Sequence, residues 1–227
     1  MRNTEKSGAT MPVCTEIRLK KLLPAVFAGE REKHLESEIW LRDVSLCRGS
    51  RYMIEAESGS GKSSLCSFIY GLRNDFEGSI EFLNGSEPLG VSDTVMRQRV
   101  LAYLPQELKL FPALTAIENI ELKNSLTGYK TGAEISEMLA FLGIKEYAHR
   151  PVGRLSIGQQ QRVAIVRALC QPYSFLLLDE PVSHLDAASN HAVAELIARE
   201  TDANGAGVLI TSVGNKLLLD NCRTLRL

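Results

Sequence analysis

Nine consecutive residues in the first third of the chain have the types and spacing needed to hold a polyphosphate. They are Ala56, Glu57, Ser58, Gly59, Ser60, Gly61, Lys62, Ser63 and Ser64. The run matches G-x-x-x-x-G-K-[ST] except that alanine replaces the first glycine, which a negative φ tolerates. Backbone N–H groups of such a loop wrap phosphates, while Lys62 reaches the β and γ phosphates and the Ser63 hydroxyl ligates Mg²⁺. A Gly/Ser linker would explain neither the Lys-Ser pair nor the strand predicted before it.

Two adjacent carboxylates, Asp179 and Glu180, follow the apolar run 175–178. At the tip of a buried strand, Asp179 is placed to bind Mg²⁺ directly or through water, and Glu180 to polarise a water for attack on a γ phosphate. Strands often end in polar residues, so this pattern alone is weak. Its value comes from the phosphate loop upstream.

The segment 155–162 reads LSIGQQQR and has two compatible interpretations. Ser156 and Gln159 form the pattern of a capping box for a helix over 159–171. A capped helix start also presents N–H donors and a hydroxyl to an anion, so it can contact a γ phosphate carried by another molecule. The candidate binding residues here are Ser156, Gly158 and Gln159.

The elements that must position these residues alternate between strand and helix. Short apolar bursts predict strands over 39–46 and 51–56, joined through Arg48-Gly49-Ser50, and an edge strand over 78–83. A helix is expected from the phosphate loop to Gly71. The remaining predictions are strands over 100–104, 175–178 and 208–211, and helices over 116–123, 133–142, 159–171 and 187–199. The order strand, helix, strand in the second half of the chain favours an α/β fold with a parallel sheet.

Composition narrows the class of protein. The chain has 227 residues with formal net charge -1, so bulk charge gives no reason to expect nucleic acid as a partner. There is no C-x-x-C pair, so neither a zinc site nor a disulfide framework is predicted, and a reducing compartment is expected. Nothing approaches the roughly 18 consecutive apolar residues of a membrane span. The scattered cysteines are Cys14, Cys47, Cys66, Cys170 and Cys222.

Taken in order, the segments AESGSGKSS, YLPQE, LSIGQQQR, FLLLDEP and SHLD resemble those of the ABC ATPase family and cover nearly the whole chain. P-loop kinases and GTPases share the first segment but not the LSIGQ-type segment before a strand ending in Asp-Glu. The resemblance implies an α/β fold with a P-loop core and parallel sheet, an antiparallel β subdomain, and a helical subdomain inserted at about 107–165. It implies one ATP-binding domain over 15–227, after a tail over 1–14 that is expected to be flexible.

The same resemblance implies hydrolysis of ATP to ADP and phosphate by a head-to-tail homodimer or pseudodimer. ATP and Mg²⁺ would lie between the phosphate loop of one subunit and Ser156, Gly158 and Gln159 of the other. Gln106 would reach both Mg²⁺ and the attacking water, so the expected metal ligands are Ser63, Gln106 and Asp179. Residues 183–186 would communicate across the interface.

A separate membrane permease is the partner that the resemblance implies. Its coupling helix would enter a groove around residues 108–115, unless Phe111 and Leu114 merely pack the helical insert. The chain would then be cytoplasmic and peripheral on the inner face of the membrane. The length and motifs of the chain resemble those of the small ATP-binding subunits that serve lipoprotein-release, macrolide-export or cell-division-type permeases. Subunits of amino-acid importers are the second possibility.

Three departures from the family pattern affect which residue roles the resemblance implies for this sequence. Ile157 stands where a second glycine is usual. No histidine follows the strand over 208–211, where an imidazole usually contacts the γ phosphate; Val213 or a near neighbour lies there. No tyrosine aligns with the aromatic that stacks on adenine, for which Phe27 and Trp40 are candidates, each with core packing as the alternative.

Two other classes of function stay open on the sequence. A soluble ABC ATPase acting on nucleic acid or ribosomes usually has two cassettes or a long coiled-coil insert, and neither is visible here. A nucleotide-binding regulatory module with little hydrolysis is motivated by the missing histidine.

Lys62→Ala is expected to abolish ATP binding, because Lys62 is the only cationic side chain in the phosphate loop. Equilibrium titration with a fluorescent ATP analogue measures this directly. Unchanged affinity would show that the loop has another role.

Overall fold

The computed structural model describes residues 11–57 and 59–227, which contain two β-sheets and helices on either side of them. In chain order the strands are β1 (Glu16–Pro24), β2 (Asp43–Cys47), β3 (Arg51–Glu55), β4 (Phe76–Asn84), β5 (Glu87–Pro88), β6 (Leu101–Leu104), β7 (Phe175–Asp179), β8 (Gly207–Ser212) and β9 (Cys222–Arg226). The helices are α1 (Lys62–Ile69), α2 (Asp93–Val95), α3 (Ala116–Asn124), α4 (Gly132–Phe141), α5 (Ile157–Leu169) and α6 (Ala187–Asn204).

The larger sheet is parallel, with strand order β6-β7-β8-β3-β9. Every residue of β7 and β8 is buried, which is typical of central parallel strands covered on both faces. Because the strands run in the same direction, the loops that follow β3, β6, β7 and β8 all leave from one edge of the sheet. The site described below lies at that edge.

The smaller sheet is antiparallel, with order β2-β1-β4-β5. Its central strand β1 pairs with β2 and β4, and the register with β4 shifts between Lys20 and Leu23. At this bulge Gly78 has a φ of 89° and lies against the backbone of β1. A helical segment, Ala25–His34, follows β1 and is kinked at Glu30.

Helices α3, α4 and α5 follow one another between β6 and β7, and each begins with a capping box. The N-cap residues Thr115, Thr131 and Ser156 accept a hydrogen bond from the third residue of the helix, whose side chain accepts one in return. Helix α6 starts at Asp186, which caps Ser189, and ends at Gly205 in the left-handed conformation.

Strand β7 separates two hydrophobic cores because its side chains alternate in direction. Leu176 and Leu178 belong to the core shared with α3, α4, α5 and α6. Phe175 and Leu177 belong to the core shared with β1, Trp40 and α1. The α/β fold class with a parallel and an antiparallel sheet is confirmed.

Some sequence predictions differ from the structure. β2 and β3 follow each other closely but belong to different sheets, since the antiparallel sheet takes β2. The strand predicted at an edge, β4, lies between β1 and β5. Residues 1–10 of the predicted tail lie outside the described residues, whereas Cys14 within it is fully buried and its N–H donates to Ser174 Oγ at 3.0 Å.

Three strands, β1, β5 and β9, were not predicted. β1 carries four charged side chains among its nine residues, β5 has only two residues, and in β9 Leu225 alone is buried. None of the three therefore shows the apolar run by which the central strands are identified. Within the described part of the chain, no helix combines the length and apolar character that crossing a bilayer requires.

Gly78→Ala is expected to lower the free energy of unfolding by about 3 kcal/mol, because the added methyl would lie 2.3 Å from the carbonyl oxygen of Lys20 and overpack the bulge. Gly85→Ala is the matched control. Gly85 also has a positive φ, 62°, but its added methyl meets no atom within 4 Å. Urea unfolding measures the free energy of unfolding of both variants. Equal losses of free energy would mean that the positive φ, rather than the steric contact, makes glycine necessary at position 78.

Candidate functional site

The loop between β3 and α1 has the geometry of a phosphate cradle. Gly59 and Gly61 have φ values of 82° and 93°, in the region that favours glycine. A methyl on Gly61 would also lie 3.1 Å from the rings of Phe27 and Trp40, so this position requires glycine for space as well. Gly61 caps α1 without a side chain, which leaves the first N–H groups of the helix available to an anion.

Alanine at the first loop position is compatible with this geometry. Ala56 lies outside the left-handed region, so its methyl group meets no backbone penalty. Its carbonyl oxygen accepts a hydrogen bond from Lys62 Nζ at 2.8 Å. The predicted residue Ser58 lies outside the described residues.

The ammonium group of Lys62 is folded back over the loop. Nζ donates to the carbonyl oxygens of Ala56 at 2.8 Å and Glu57 at 2.5 Å, and the residue is only 5% exposed. Burial lowers the pKa of Lys62, and the nearby carboxylates of Glu180 and Asp179 oppose that shift. A phosphate chain in the loop offers the ammonium stronger acceptors than neutral carbonyls.

Both predicted carboxylates lie at the end of β7, and Thr211 of β8 contacts both residues. Asp179 is 2% exposed, and its Oδ1 accepts a hydrogen bond from Thr211 Oγ1 at 2.5 Å. The N–H of Glu180 donates to Thr211 O at 3.2 Å and lies 3.3 Å from Thr211 Oγ1. Thr211 therefore fixes the relative positions of the two acidic residues.

The surroundings of Glu180 favour its protonated form more than water does. Burial raises the pKa of Glu180, and repulsion from Asp179 adds to the rise, while Lys62 and His184 oppose it. The residue has a φ of 50°, which is unusual for a non-glycine residue. A raised carboxylate pKa favours general-base action.

A cavity of about 260 Å³ brings the predicted residues from four segments together. It is lined by Gly59, Gly61, Lys62, Ser63, Ser64, Gln106, Glu180 and Val213. Gln106 reaches it because it follows β6, and Glu180 because it follows β7, so the parallel sheet directs both into the same space. This arrangement can hold a polyphosphate, a cation and a water in one enclosure.

Oxygen donors around this cavity fit a hard divalent cation. Ser63 supplies a hydroxyl, Gln106 an amide oxygen and Asp179 a buried carboxylate, and Mg²⁺ is bound by oxygen ligands with few carboxylates. Among the described residues no group of three or more His, Cys, Asp or Glu side chains is placed to hold a metal. The donor set therefore suits Mg²⁺ that shares its coordination with phosphate oxygens.

The segment 156–159 lies on a different surface of the same chain. Ser156 and Gln159 make the predicted capping box, with Gln159 N donating to Ser156 Oγ at 3.3 Å and Ser156 N donating to Gln159 Oε1 at 2.9 Å. Ile157 is 49% exposed. A methyl on Gly158 would lie 3.1 Å from the carbonyl oxygen of His184. None of these residues lines the cavity at the phosphate loop.

A residue that the sequence reasoning missed, Gln161, connects these two regions. It is 1% exposed; its Nε2 donates to the Glu180 carbonyl at 3.1 Å, and its Oε1 accepts from the N–H of His184 at 3.1 Å. Gln161 precedes Ala164 and Ile165 by three and four residues, so it lies on the buried stripe of α5. Its burial distinguishes it from Gln159 and Gln160, which are both partly exposed.

The aromatic candidates have different surroundings. Trp40 is fully buried, and its indole Nε1 donates to the carbonyl of Ser60 at 3.1 Å. This hydrogen bond helps to hold the backbone of the phosphate loop in place. Phe27 stacks on His34 with ring centroids 4.3 Å apart. His34, rather than Phe27, lines a neighbouring cavity of about 760 Å³ beside Ser60.

The position of the missing histidine is occupied by an apolar side chain. Val213 is 41% exposed and lines the cavity. Ser212 Oγ donates to the carbonyl of Asn215 at 2.8 Å, and Asn215 Nδ2 donates to that of Val182 at 2.9 Å. Both polar neighbours are therefore engaged elsewhere, and neither provides a donor toward the cavity.

Comparison with known proteins gives a consistent result. A family model described as ABC transporter matches residues 42–183. ABC transporter ATP-binding protein YtrE of Bacillus subtilis (strain 168) is 36% identical over 188 residues, 79% of this chain and 81% of that protein. The lipoprotein-releasing system ATP-binding protein LolD of Hyphomonas neptunium is 34% identical over 176 residues, 75% of this chain and 77% of that protein.

Solved structures share the fold over most of the chain. The dimeric post-hydrolysis state of the ATP-binding cassette MJ0796 bound to ADP and Pi superimposes with a TM-score of 0.70 at 27% identity, covering 86% of this chain and 87% of that one. A second dimeric structure of MJ0796, described as a bacterial ABC transporter cassette, gives a TM-score of 0.69 at 28% identity, with the same coverage of both chains.

Thr211→Val is expected to lower the free energy of unfolding by about 1 to 3 kcal/mol, because it leaves the buried carboxylate of Asp179 without its hydroxyl donor. Thr211→Ser keeps the hydroxyl and should lose less. Thr201→Val is the matched control, since Thr201 is equally buried but donates to the carbonyl of Ile197 within α6. If Thr211→Val unfolds at the wild-type denaturant concentration, the contact does not stabilise the site.

Proposed function

The chain belongs to the ABC transporter family, as an ATP-binding and ATP-hydrolysing subunit, and from that premise we propose the role of each site residue and the machine that the subunit drives. The observation that supports these roles is the cavity in which Lys62, Ser63, Gln106 and Glu180 meet. The phosphate loop, the amide of Gln106 and the carboxylate of Glu180 come from separate segments, and hydrolysis of a bound triphosphate requires all three groups.

Binding of ATP exchanges the contacts of Lys62. The triphosphate enters the cradle formed by residues 56–64, and the ammonium leaves the carbonyls of Ala56 and Glu57 for the β and γ phosphates. Ser63, Gln106 and Asp179 would hold Mg²⁺, which would supply positive charge to offset that of the phosphate oxygens.

Glu180 acts on the attacking water. Its carboxylate accepts a proton from the water and orients the water toward the γ phosphorus, and Gln106 positions the same water from the opposite loop. The raised pKa of Glu180 makes the carboxylate a better proton acceptor than an exposed glutamate. ADP and phosphate are the products.

A second subunit supplies the other half of the binding site. Ser156, Gly158 and Gln159 stand at the exposed start of α5 and are absent from the chain's own cavity. A head-to-tail dimer, either of two copies or with a homologous subunit, would place this start against the γ phosphate of the facing loop. MJ0796, which shares the fold, is dimeric.

We further propose a separate membrane permease as the partner, which would hold the subunit at the cytoplasmic face of the membrane. The relatives include a lipoprotein-releasing system subunit, and lipoprotein release or a related export is the substrate class that this similarity favours. The surface expected to meet the permease includes Lys109 and Phe111, and Phe111 is 57% exposed. Phe111 is therefore not packed into the helical insert.

Glu180→Gln is expected to bind ATP without hydrolysing it and to accumulate as an ATP-bound dimer, since the amide cannot accept the proton from water. Adding Ser156→Arg to this variant should abolish the dimer, because bulk and charge meet the facing phosphate site. Sizing chromatography with ATP and light scattering measures both states.

The matched control for Ser156→Arg is Thr131→Arg in the same Glu180→Gln background. Thr131 caps α4 through an identical capping box, so both changes remove a cap, but only Ser156 is proposed to face a second subunit. A dimer of normal stability with Ser156→Arg would refute the sandwich arrangement. Loss of the dimer in both variants would indicate a general effect of cap removal.

The absence of a histidine beside the γ phosphate is expected to make basal hydrolysis slow. One missing hydrogen-bond donor at the transition state costs about 2 to 4 kcal/mol, or roughly 10²- to 10³-fold in rate. Val213→His or Ser212→His should raise the steady-state ATPase rate of the isolated subunit. Leu126→His, which adds an imidazole at an exposed position of the helical insert, should not. A wild-type rate equal to that of a histidine-containing relative, with no gain in either variant, would contradict the assignment.

A further inference from the structure

His184 is an exposed histidine in the loop between β7 and α6. Its ring nitrogen Nδ1 lies 2.9 Å from the hydroxyl of Ser183. Within the described part of the chain, the other ring nitrogen, Nε2, has no hydrogen-bond partner. The imidazole can therefore contact a molecule outside the chain.

The backbone of His184 is fixed against the start of α5. Its N–H donates to Gln161 Oε1 at 3.1 Å. A methyl on Gly158 would lie 3.1 Å from the His184 carbonyl oxygen, so the two backbones are already close together. Because Gln161 also donates to the Glu180 carbonyl at 3.1 Å, this loop cannot move independently of α5. His184 and Gly158 thus belong to one surface of the chain.

That surface is the one proposed to meet the γ phosphate of a facing subunit through Ser156, Gly158 and Gln159. A histidine side chain extends several ångströms beyond its backbone, so a phosphate in contact with Gly158 is within reach of the His184 imidazole. His184 does not line the chain's own nucleotide cavity. Its charge nevertheless opposes the rise in the pKa of Glu180, so an action on its own subunit is the alternative to test.

The facing cavity has an apolar side chain at the place where an imidazole is expected. Val213 is among the residues that line it, and no histidine is found among those that the structure describes there. His34 lines the neighbouring cavity instead, and its ring stacks on Phe27. An imidazole at the γ phosphate must therefore come from elsewhere.

We propose that His184 is a catalytic residue that acts across the dimer, with its Nε2–H donating a hydrogen bond to a γ phosphate oxygen held by the facing subunit. The inference rests on the proposed sandwich dimer and adds a residue to its site. A Ser183 hydroxyl that donates to Nδ1 leaves the ring proton on Nε2, as this role requires. His184 takes over part of the contribution of the imidazole that Val213 replaces, and only while the dimer is closed.

His184 keeps its proton throughout the reaction. The water oxygen forms a bond to the γ phosphorus, and the bond from that phosphorus to the bridging oxygen breaks and leaves its electron pair on ADP. The proton of the water passes to Glu180. The hydrogen bond from His184 strengthens as negative charge builds on the phosphoryl oxygens, so it lowers the barrier.

His184→Ala should slow single-turnover hydrolysis at saturating ATP by about tenfold or more, because the transition state loses one donor. His184→Gln retains an N–H donor and should lose less. His149→Ala is the matched control, since His149 is an exposed histidine of the helical insert, and its rate should equal that of the wild type.

Adding Val213→His to His184→Ala should recover hydrolysis, because it supplies an imidazole from the same subunit as the phosphate loop. A rate lowered by poor folding would not recover in this way. Glu180→Gln with His184→Ala should still form the ATP-bound dimer of Glu180→Gln on sizing chromatography. Loss of that dimer would show that His184 holds the interface and would overturn its catalytic role.

Mixed dimers decide between the facing phosphate and the chain's own Glu180. In the first mixture, His184→Ala meets a large excess of Glu180→Gln. In the second, wild type meets the same excess of a chain that carries both changes. The excess places nearly every hydrolysing subunit in a mixed dimer. Each mixed dimer has one intact Glu180, but only the first offers it a histidine from the other subunit.

Hydrolysis per intact Glu180 should be fast in the first mixture and slow in the second. The reverse order would mean that His184 acts on its own subunit, and equal rates would mean that it takes no part; either result overturns the proposal and leaves the sandwich dimer standing. If Glu180→Gln forms no ATP-bound dimer, the sandwich arrangement itself is wrong and the role of His184 is wrong with it.

Discussion

The parallel register of β7 and β8 is the constraint on which the site depends. Asp179 pairs with Thr211 across the two strands, and this pairing brings the Thr211 hydroxyl to the buried carboxylate. The same alignment ends β3 beside β8, so the phosphate loop opens next to Asp179 and Glu180. A slip of one residue would reverse the direction of every side chain in these strands and separate the hydroxyl from the carboxylate.

Three non-glycine residues with positive φ lie in the loops that follow β6 and β7: Leu108, Lys109 and Glu180. Such backbone costs on the order of 1 kcal/mol or more per residue and persists where other contacts fix it. Gln161 and Thr211 supply those contacts at Glu180, and Arg167 supplies them at the loop after Gln106. The loops at this edge are thus held in one conformation by side chains from the helical insert and the sheet.

The sequence predicts the chemistry of the site better than its assembly. The phosphate loop and the two carboxylates were predicted from residue types and spacing, and Gln106 from the family resemblance. The structure brings the loop, Gln106 and Glu180 to one cavity and buries Asp179 next to Glu180. The central strands were identified because they are apolar throughout. Strand β9 was missed because most of its side chains are exposed, and β2 was assigned next to β3 because sequence proximity does not reveal which sheet a strand joins.

Residues that act through contacts distant in sequence were the hardest to predict. Gln161 stands in a run of three glutamines, and its role depends on the loop after β7, which lies 19 residues further along the chain. Lys123 resembles any surface lysine of an amphipathic helix until the sheet and Arg167 are placed beside it. Local patterns report what a segment can bind or form, whereas burial and pairing of charge depend on which segments the fold brings together. The charge of the groove between the helical insert and the parallel sheet is therefore a property of the folded chain. It is contributed by α3, α5 and the loops after α1 and β6, and it places Lys123 and Arg167 near the segment that carries Gln106.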